Sequence, residues 1–356
     1  MENNEYYEED FFAKHRKDTK KQKKYYQSKD RSKYKKTNLE KKVTEKPLPK
    51  EAKKARVLSI TGEKVVLDFQ GKEYLATLKG SLKKEKTKNK NLIAVGDFVW
   101  FVFSDLEGQI IKIDPRIAEL ARVDVSGKKK QLIAVNIEQI FITVSIVMPN
   151  LKPHLVDRFL ISSKKGNMHP IVLINKVDLL EDAEKKEKEL FNDFVASYEK
   201  VFVPILTISV TKNKGIDRLK QFMKNKSSVF AGQSGVGKSS LINATTSHNL
   251  RVGSIVQKTY KGSHTTTKAV LLPLKEGGFC IDTPGIKSFG VWDLKKQDII
   301  DHFWEIKEEG VNCHFPNCTH IDEPKCNVKE AVDTGKISSL RFASYHSLMK
   351  EVLNLN

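Results

Sequence analysis

The sequence predicts a multidomain chain: an all-β barrel of the oligonucleotide-binding type, an α/β domain on a mostly parallel sheet, and a small helical C-terminal domain around a cysteine and histidine cluster. Three observations carry this expectation. Five short apolar runs punctuated by glycine crowd into residues 53–116. Beyond them, buried-strand runs alternate with amphipathic helices. Near the C-terminus, Cys313, Cys318, His320 and Cys326 fall within fourteen residues. A chain of 356 residues with 39% hydrophobic content has room for two or three such domains.

Residues 1–52 precede any core. Between Phe11 and Lys50 there are sixteen Lys or Arg and four Asp or Glu, with almost no aliphatic side chains. Such a stretch buries too little apolar area to offset its ordering entropy and is expected to be a disordered basic tail. It is either a solubilising tail or an RNA-binding arm, with Tyr6, Tyr7, Tyr25, Tyr26 and Tyr34 available to stack on bases. The whole chain carries a net charge of +19, which favours nucleic acid or an anionic membrane as partner. No run approaches the length of a bilayer-spanning helix. The five acidic residues within Met1–Asp10 argue against a secretory or transit leader, so a cytoplasmic location is expected. Four cysteines are too few for a disulfide scaffold in a chain of this length.

In 53–116 the expected strands are Arg56–Ile60, Lys64–Phe69, Tyr74–Leu78, Asp97–Phe103 and Gly108–Ile113, separated by Gly62, Gly71 and Gly96. An SH3-like barrel gives a similar pattern. The Lys79–Lys90 loop is strongly basic. Residues 117–295 are expected to form the α/β domain. Its strands are Gln139–Ser145, Pro170–Asn175, Val203–Ser209, Ser228–Ala231, Val270–Leu274 and Gly278–Asp282. Its helices are His154–Ser163, Glu181–Tyr198, Ile216–Asn225 and one opening at Ser239. Residues 296–356 complete the chain as the helical C-terminal domain.

The chemistry is concentrated in short motifs. Gly232-Gln233-Ser234-Gly235-Val236-Gly237-Lys238-Ser239, followed by Ser240, fits the phosphate-binding loop, whose glycines let backbone N–H groups face phosphates at a helix N-terminus. Lys238 is expected to reach the β and γ oxygens, and Ser239 to ligate Mg²⁺. Asn175-Lys176-Val177-Asp178 fits the guanine reader. The Asp178 carboxylate can accept from guanine N1–H and its exocyclic amine, a donor pair that adenine lacks. Asn175 would brace the loop and the Lys176 stem would cover the base. The stretch Ser209–Thr211 would contribute a backbone N–H to the base oxygen. Asp282-Thr-Pro-Gly285 fits the element that holds Mg²⁺ through water and senses the γ-phosphate. Among Thr265, Thr266 and Thr267, Thr266 is the expected Mg²⁺ ligand of the first switch. The base reader precedes the phosphate loop, the reverse of the usual order, which points to a circularly permuted GTPase. Ile286 stands where familiar enzymes carry a water-orienting glutamine. His264 is the internal candidate for that catalytic task, or else a plain loop histidine.

Cys313, Cys318, His320 and Cys326 match a closed tetrahedral zinc site with a structural role. His314 competes with His320 as nitrogen donor. Cys280 lies inside a strand and is expected to be plain core.

The barrel, the inverted motif order, Gly262-Ser-His-Thr-Thr-Thr267, Asp282-Thr-Pro-Gly285 and the Cys/His cluster together resemble the ribosome small subunit-dependent GTPase A family over about residues 53–350. The resemblance implies a GTPase stimulated by the 30S subunit, bound to 16S rRNA, acting late in 30S maturation and leaving after GTP hydrolysis. It implies one structural zinc on Cys313, Cys318, His320 and Cys326, and Mg²⁺ with GTP. The chain departs from the family pattern at Ser263, where an arginine is usual, and in its long basic tail. A monomer that binds neither membrane nor DNA is expected. Two other readings are a GTP-locked rRNA placeholder with little turnover and a permuted GTPase of large-subunit assembly. Relinking the sheet also sets the second switch just before the zinc domain, so a change at the γ-phosphate would be placed to move the RNA-facing domains.

Overall fold

The barrel closes because its strands alternate inward and outward faces, and the inward rows are apolar through the core. In the computed structural model, which describes residues 47–83, 91–104, 107–123, 130–246, 269–282 and 294–353, five strands form it: β1 (Lys53–Thr61), β2 (Lys64–Phe69), β3 (Lys72–Leu78), β4 (Phe98–Ser104) and β5 (Glu107–Ile113). Ala55, Val57, Val65, Leu67, Ala76, Val99, Phe101 and Ile110 fill its interior. The strand order is β1-β2-β3-β5-β4, with β3 parallel to β5 and a short helix α1 (Gly80–Lys83) between β3 and β4. This path is the Greek-key order of an oligonucleotide-binding barrel rather than a meander. Residues 51–356 make up one compact unit. Most of the basic tail, and Lys84–Lys90 of the basic loop, lie outside the described residues.

A two-stranded hairpin follows, β6 (Glu119–Val123) and β7 (Lys130–Val135). The sequence pattern does not announce it, since its apolar runs are short and flank a polar, lysine-rich stretch. The joint between barrel and hairpin is polar and tightly paired. Arg116 donates twice to Asp97, at 2.7 and 2.8 Å, and Asn136 donates to the Gly96 carbonyl at 3.1 Å.

The main sheet contains β8 (Gln139–Val144), β9 (His169–Ile174), β10 (Ile205–Thr207), β11 (Ser227–Gly232), β12 (Val270–Pro273) and β13 (Phe279–Asp282), in the order β10-β9-β8-β11-β13-β12. All neighbours are parallel except the β12–β13 hairpin. Both β8 and β11 are buried throughout, as a parallel sheet covered on both faces requires. Alternate residues point to opposite faces. Ile140, Ile142, Val172, Val229 and Ala231 pack under α2 (Pro153–Lys165) and α3 (Lys185–Glu199). Phe141, Leu173 and Phe230 pack under α4 (Ile216–Met223) and α5 (Lys238–Thr245). Several elements differ from expectation in their bounds, two of them for a plain local reason. β10 is only three residues long, because it is an edge strand and Pro204 has no N–H to donate. α3 starts at Lys185 rather than Glu181. A 3₁₀ turn occupies Val177–Leu180, and Glu187 accepts from the Glu184 N–H at 3.0 Å, capping the helix four residues late.

The C-terminal part contains α6 (Lys296–His302), α7 (Trp304–Gly310), α8 (Asn327–Asp333) and α9 (Ser339–Val352) around Phe303, Ile306, Val328, Tyr345 and Leu348. Among the described residues no helix is long and apolar enough to cross a membrane.

Candidate nucleotide site and metal centre

The C-terminal ends of β8, β9 and β11 meet where the two nucleotide motifs lie. At the end of β11 the chain turns through Gly232, Gly235 and Gly237, all at positive φ, and enters α5 at Lys238. Gly232 abuts the neighbouring strand so closely that a Cβ would stand 2.0 Å from the Thr143 carbonyl oxygen. At Gly237 a Cβ would meet Asn175 Nδ2 at 2.4 Å. These contacts explain why glycine is needed here, beyond its freedom of φ.

Asn175 follows β9, 3% exposed, and its side-chain amide donates to the Val236 carbonyl at 2.8 Å. The two motifs, sixty-one residues apart, are therefore joined directly. Lys176 sits in the left-handed region, φ 62°, and its ammonium donates to the Met148 carbonyl at 2.9 Å. The Val177 N–H donates to the Ile208 carbonyl, which ties the reader to the end of the next strand. Asp178 Oδ2 accepts from Thr211 Oγ1 at 3.1 Å, while Oδ1 is buried and has no hydrogen-bond partner. The Ser209 hydroxyl beside it, with Thr211, holds the Asp178 carboxyl below the usual carboxylate range, so it is ionised. An ionised acceptor with one empty oxygen fits a ligand edge that carries two donors.

Ser209 opens the stretch expected to face the base. Its N–H already donates to the Lys214 carbonyl at 3.1 Å. Its hydroxyl accepts from the Lys212 N–H and pairs with Thr211. Within Ser209–Thr211, a backbone donor to a base oxygen would therefore come from Val210 or Thr211. Thr211 is the residue whose side chain the sequence pattern did not single out, although its hydroxyl stands four residues past the end of β10.

Lys238 Nζ folds back over the phosphate loop and donates to the carbonyls of Gly232 at 2.8 Å and Gln233 at 2.5 Å. Ser239 and Ser240 open α5 with exposed side chains, beside exposed Ser234. Asp282 ends β13, which pairs with β11. Burial pushes its carboxyl upward, a cost that an adjacent cation would offset. The glycine turn and the N-terminus of α5 make a cradle suited to phosphate, with Ser239 exposed at its start, while Asp282 ends the strand beside β11. Gly262, Ser263, His264, Thr265, Thr266, Thr267, Gly285 and Ile286 lie outside the described residues.

The cysteine cluster assembles on the loop between α7 and α8. The candidate ligand atoms of Cys313, Cys318, His320 and Cys326 lie within 4.8 Å of one another. Cys313 Sγ is 3.8 Å from Cys326 Sγ, and His320 Nδ1 is 3.5 and 3.4 Å from the same two sulfurs. A tetrahedron with metal–sulfur bonds of about 2.3 Å has sulfur–sulfur edges of about 3.8 Å, so the donor set fits a tetrahedral metal. Burial lowers the His320 pKa, which keeps the imidazole neutral, and pushes the Cys318 thiol up to about 12. A metal held there would displace the thiol protons. His314 is outside the cluster; its ring packs edge-on against Phe315. Glu323, which spacing gave no reason to notice, braces the loop. Burial opposes its ionisation, but the Thr319 hydroxyl, with the Thr319 and Ile321 N–H groups, holds its carboxyl at about 2. Cys280 is fully buried in β13, and burial raises its thiol far out of the reactive range.

Residues 113–292 match the family profile described as RsgA GTPase. The chain belongs to the RsgA GTPase family. This RsgA-family GTPase is 37% identical over 292 residues to the small ribosomal subunit biogenesis GTPase RsgA of Flavobacterium psychrophilum, covering 80% of this chain and 88% of that one. It is 39% identical over 247 residues to the protein of the same name from Shewanella oneidensis, covering 69% and 68%. Among solved structures, YjeQ from Thermotoga maritima superposes with a TM-score of 0.66 at 29% identity, covering 86% of this chain and all of that one. YloQ, described as a circularly permuted GTPase, superposes with a TM-score of 0.64 at 24% identity, covering 87% and 99%, and shows the fold alone. The inverted motif order thus belongs to a permuted GTPase sheet.

Proposed function

We propose that this GTPase acts on the small ribosomal subunit late in its maturation, is stimulated there to hydrolyse GTP, and leaves after hydrolysis. The observation that carries the nucleotide half is the Asn175–Val236 bridge beside the empty Oδ1 of Asp178. The printed names of the relatives, small ribosomal subunit biogenesis GTPase, support the ribosomal half.

In this reading Asp178 accepts from guanine N1–H and the exocyclic amine, Asn175 through Val177 hold the reader against the phosphate loop, and the Lys176 stem covers the base. Gly232 through Ser240 cradle the phosphates. Lys238 leaves the Gly232 and Gln233 carbonyls to meet the β and γ oxygens. Ser239, Asp282 and Thr266 would hold Mg²⁺, which when bound neutralises charge developing on the phosphate oxygens. His264 orients the attacking water, since Ile286 has no hydrogen bond to offer. Cys313, Cys318, His320 and Cys326 hold one structural zinc. The division 1–52, 53–116, 117–295 and 296–356 assigns 16S rRNA contact to the tail and barrel. The protein works as a cytoplasmic monomer.

Phosphate release titrated with purified 30S subunits across a salt series tests this. Stimulation should saturate with 30S, be absent with 50S, and fade steeply as salt rises. Tight GTP binding with no stimulation at any 30S concentration would instead favour the placeholder reading, to which Ile286 lends weight.

A further inference from the structure

Neither the nucleotide site nor the metal cluster uses the aromatic side chains of the barrel, which form a chain from core to solvent. Phe101 is fully buried. Phe103 lies edge-on to Phe101 at 5.2 Å and to Tyr74 at 5.3 Å between ring centroids. Phe69 closes the group, 5.9 Å from Phe101 and 6.1 Å from Tyr74. Phe103 is 48% exposed. Strand parity explains the arrangement. Phe103 shares a strand face with Phe101, Phe69 with Leu67, Tyr74 with Ala76, and Lys53 with Ala55. The second member of each pair is core, so the first continues an inward-facing row out to where the interior meets solvent. Lys53 crosses this patch, its ammonium 4.8 Å from the Phe103 ring centroid and 5.2 Å from that of Phe69.

A single exposed phenylalanine needs no explanation, but this one is held rigidly on a buried ring, flanked by two more rings and covered by a cation. Rings backed by the core and an ammonium on a four-carbon stem suit an unpaired nucleotide, whose base has a free π-face and whose phosphate is anionic. Duplex RNA keeps its π-faces stacked internally and offers the patch nothing to stack on. Among the described residues the neighbouring acids do not oppose this. Asp68 and Glu73 occupy the opposite strand parity, and Asp68 accepts from the Gly71 N–H at 3.0 Å. Glu107 is paired with Lys64 at 3.1 Å. The net charge of +19 supplies long-range attraction to the same polyanion.

We propose that Phe103, Tyr74 and Phe69, with Lys53, form a stacking platform for one or two unpaired RNA nucleotides. This rests on the reading that RNA is the partner. The test is fluorescence anisotropy of the full chain with an unstructured oligoribonucleotide and with an RNA duplex of equal length. Phe103→Ala should weaken binding of the unpaired strand by about 5- to 100-fold and leave duplex and GDP affinity unchanged. Phe103→Tyr should restore binding, and Phe103→Leu, which keeps apolar bulk without a ring, should not. The salt dependence should be unaltered in Phe103→Ala but shallower in Lys53→Ala, by about 0.7 in the log–log slope for one lost phosphate contact. The platform is overturned if Phe103→Ala binds the unpaired strand like the unsubstituted protein, if it loses both RNA forms in parallel, if Phe103→Leu binds normally, or if the unsubstituted protein binds no unpaired RNA. Stimulation by 30S, measured alongside, separates the two readings. An unstimulated protein whose Phe103→Ala variant still loses only the unpaired strand would keep the platform and lose the ribosomal assignment.

Discussion

Asp178 is ionised, has one satisfied oxygen and one buried oxygen without a partner. That asymmetry makes base choice a question of donors and acceptors. Asp178→Asn replaces an acceptor by a donor; the guanine exocyclic amine then faces an amide N–H, whereas xanthine offers a carbonyl there. GDP affinity should fall on the order of a hundredfold or more, with xanthosine diphosphate favoured over GDP, as read by calorimetry. Equal losses for both nucleotides would remove Asp178 from base recognition. At Gly237 the backbone has φ 91° and a methyl group would stand 2.4 Å from Asn175 Nδ2. Gly237→Ala should cost about 1–3 kcal/mol and separate the two motifs, so that added GDP no longer raises the unfolding midpoint. The motif letters identified both residues. The letters did not show that Ser209 spends its N–H on Lys214, because that depends on how the chain turns back after a short edge strand.

At the scale of elements, the candidate metal loop and the β6–β7 hairpin differ in how far the sequence shows them. The loop between α7 and α8 has little apolar burial of its own; it gathers four candidate ligands and is braced by Glu323. Cys318→Ser should abolish stoichiometric zinc by elemental analysis and raise hydrogen exchange across 296–353, a loss on the order of several kcal/mol local to that region. Unchanged protection without metal would show that the helices alone hold the loop. Ligand spacing made this element legible, whereas the hairpin β6–β7 was not legible, because two short strands paired mainly with each other have no long periodic signal. β10 came out shorter than its apolar run, since Pro204 and the sheet edge decide how much of the run can pair.

Across the whole molecule, one buried carboxylate joins the sheet to the C-terminal helices. Asp157 on α2 is fully buried. It accepts from Arg341 and Ser344 on α9 and from Tyr198 of α3 at 2.8 Å, and lies 2.9 Å from His302 Nε2 on α6. Burial opposes its ionisation, but the Arg341 guanidinium and then His302 hold it below the usual carboxylate range. A depressed carboxyl contributes stability that is complete above its unfolded value, about pH 3.9, and is lost as pH falls through the folded value. Asp157→Asn should therefore cost up to about 3–5 kcal/mol at pH 7, leaving the buried Arg341 to Glu305, which it meets at 2.8 Å, and the difference from the unsubstituted protein should shrink below about pH 4 in denaturant unfolding. A difference that stays constant down to pH 3 would show that Asp157 is not the charge that matters. Local pattern was enough to announce the barrel strands, the alternating strands and helices, the reversed order of the two nucleotide motifs and the gathering of three cysteines and a histidine, because each depends on side-chain period or on spacing along a few residues. The Asp157–Arg341 pair spans 184 positions and the Asn175–Val236 bridge 61. Contacts so distant in the chain arise only when separate elements pack, and no local period encodes which of many buried polar groups will meet.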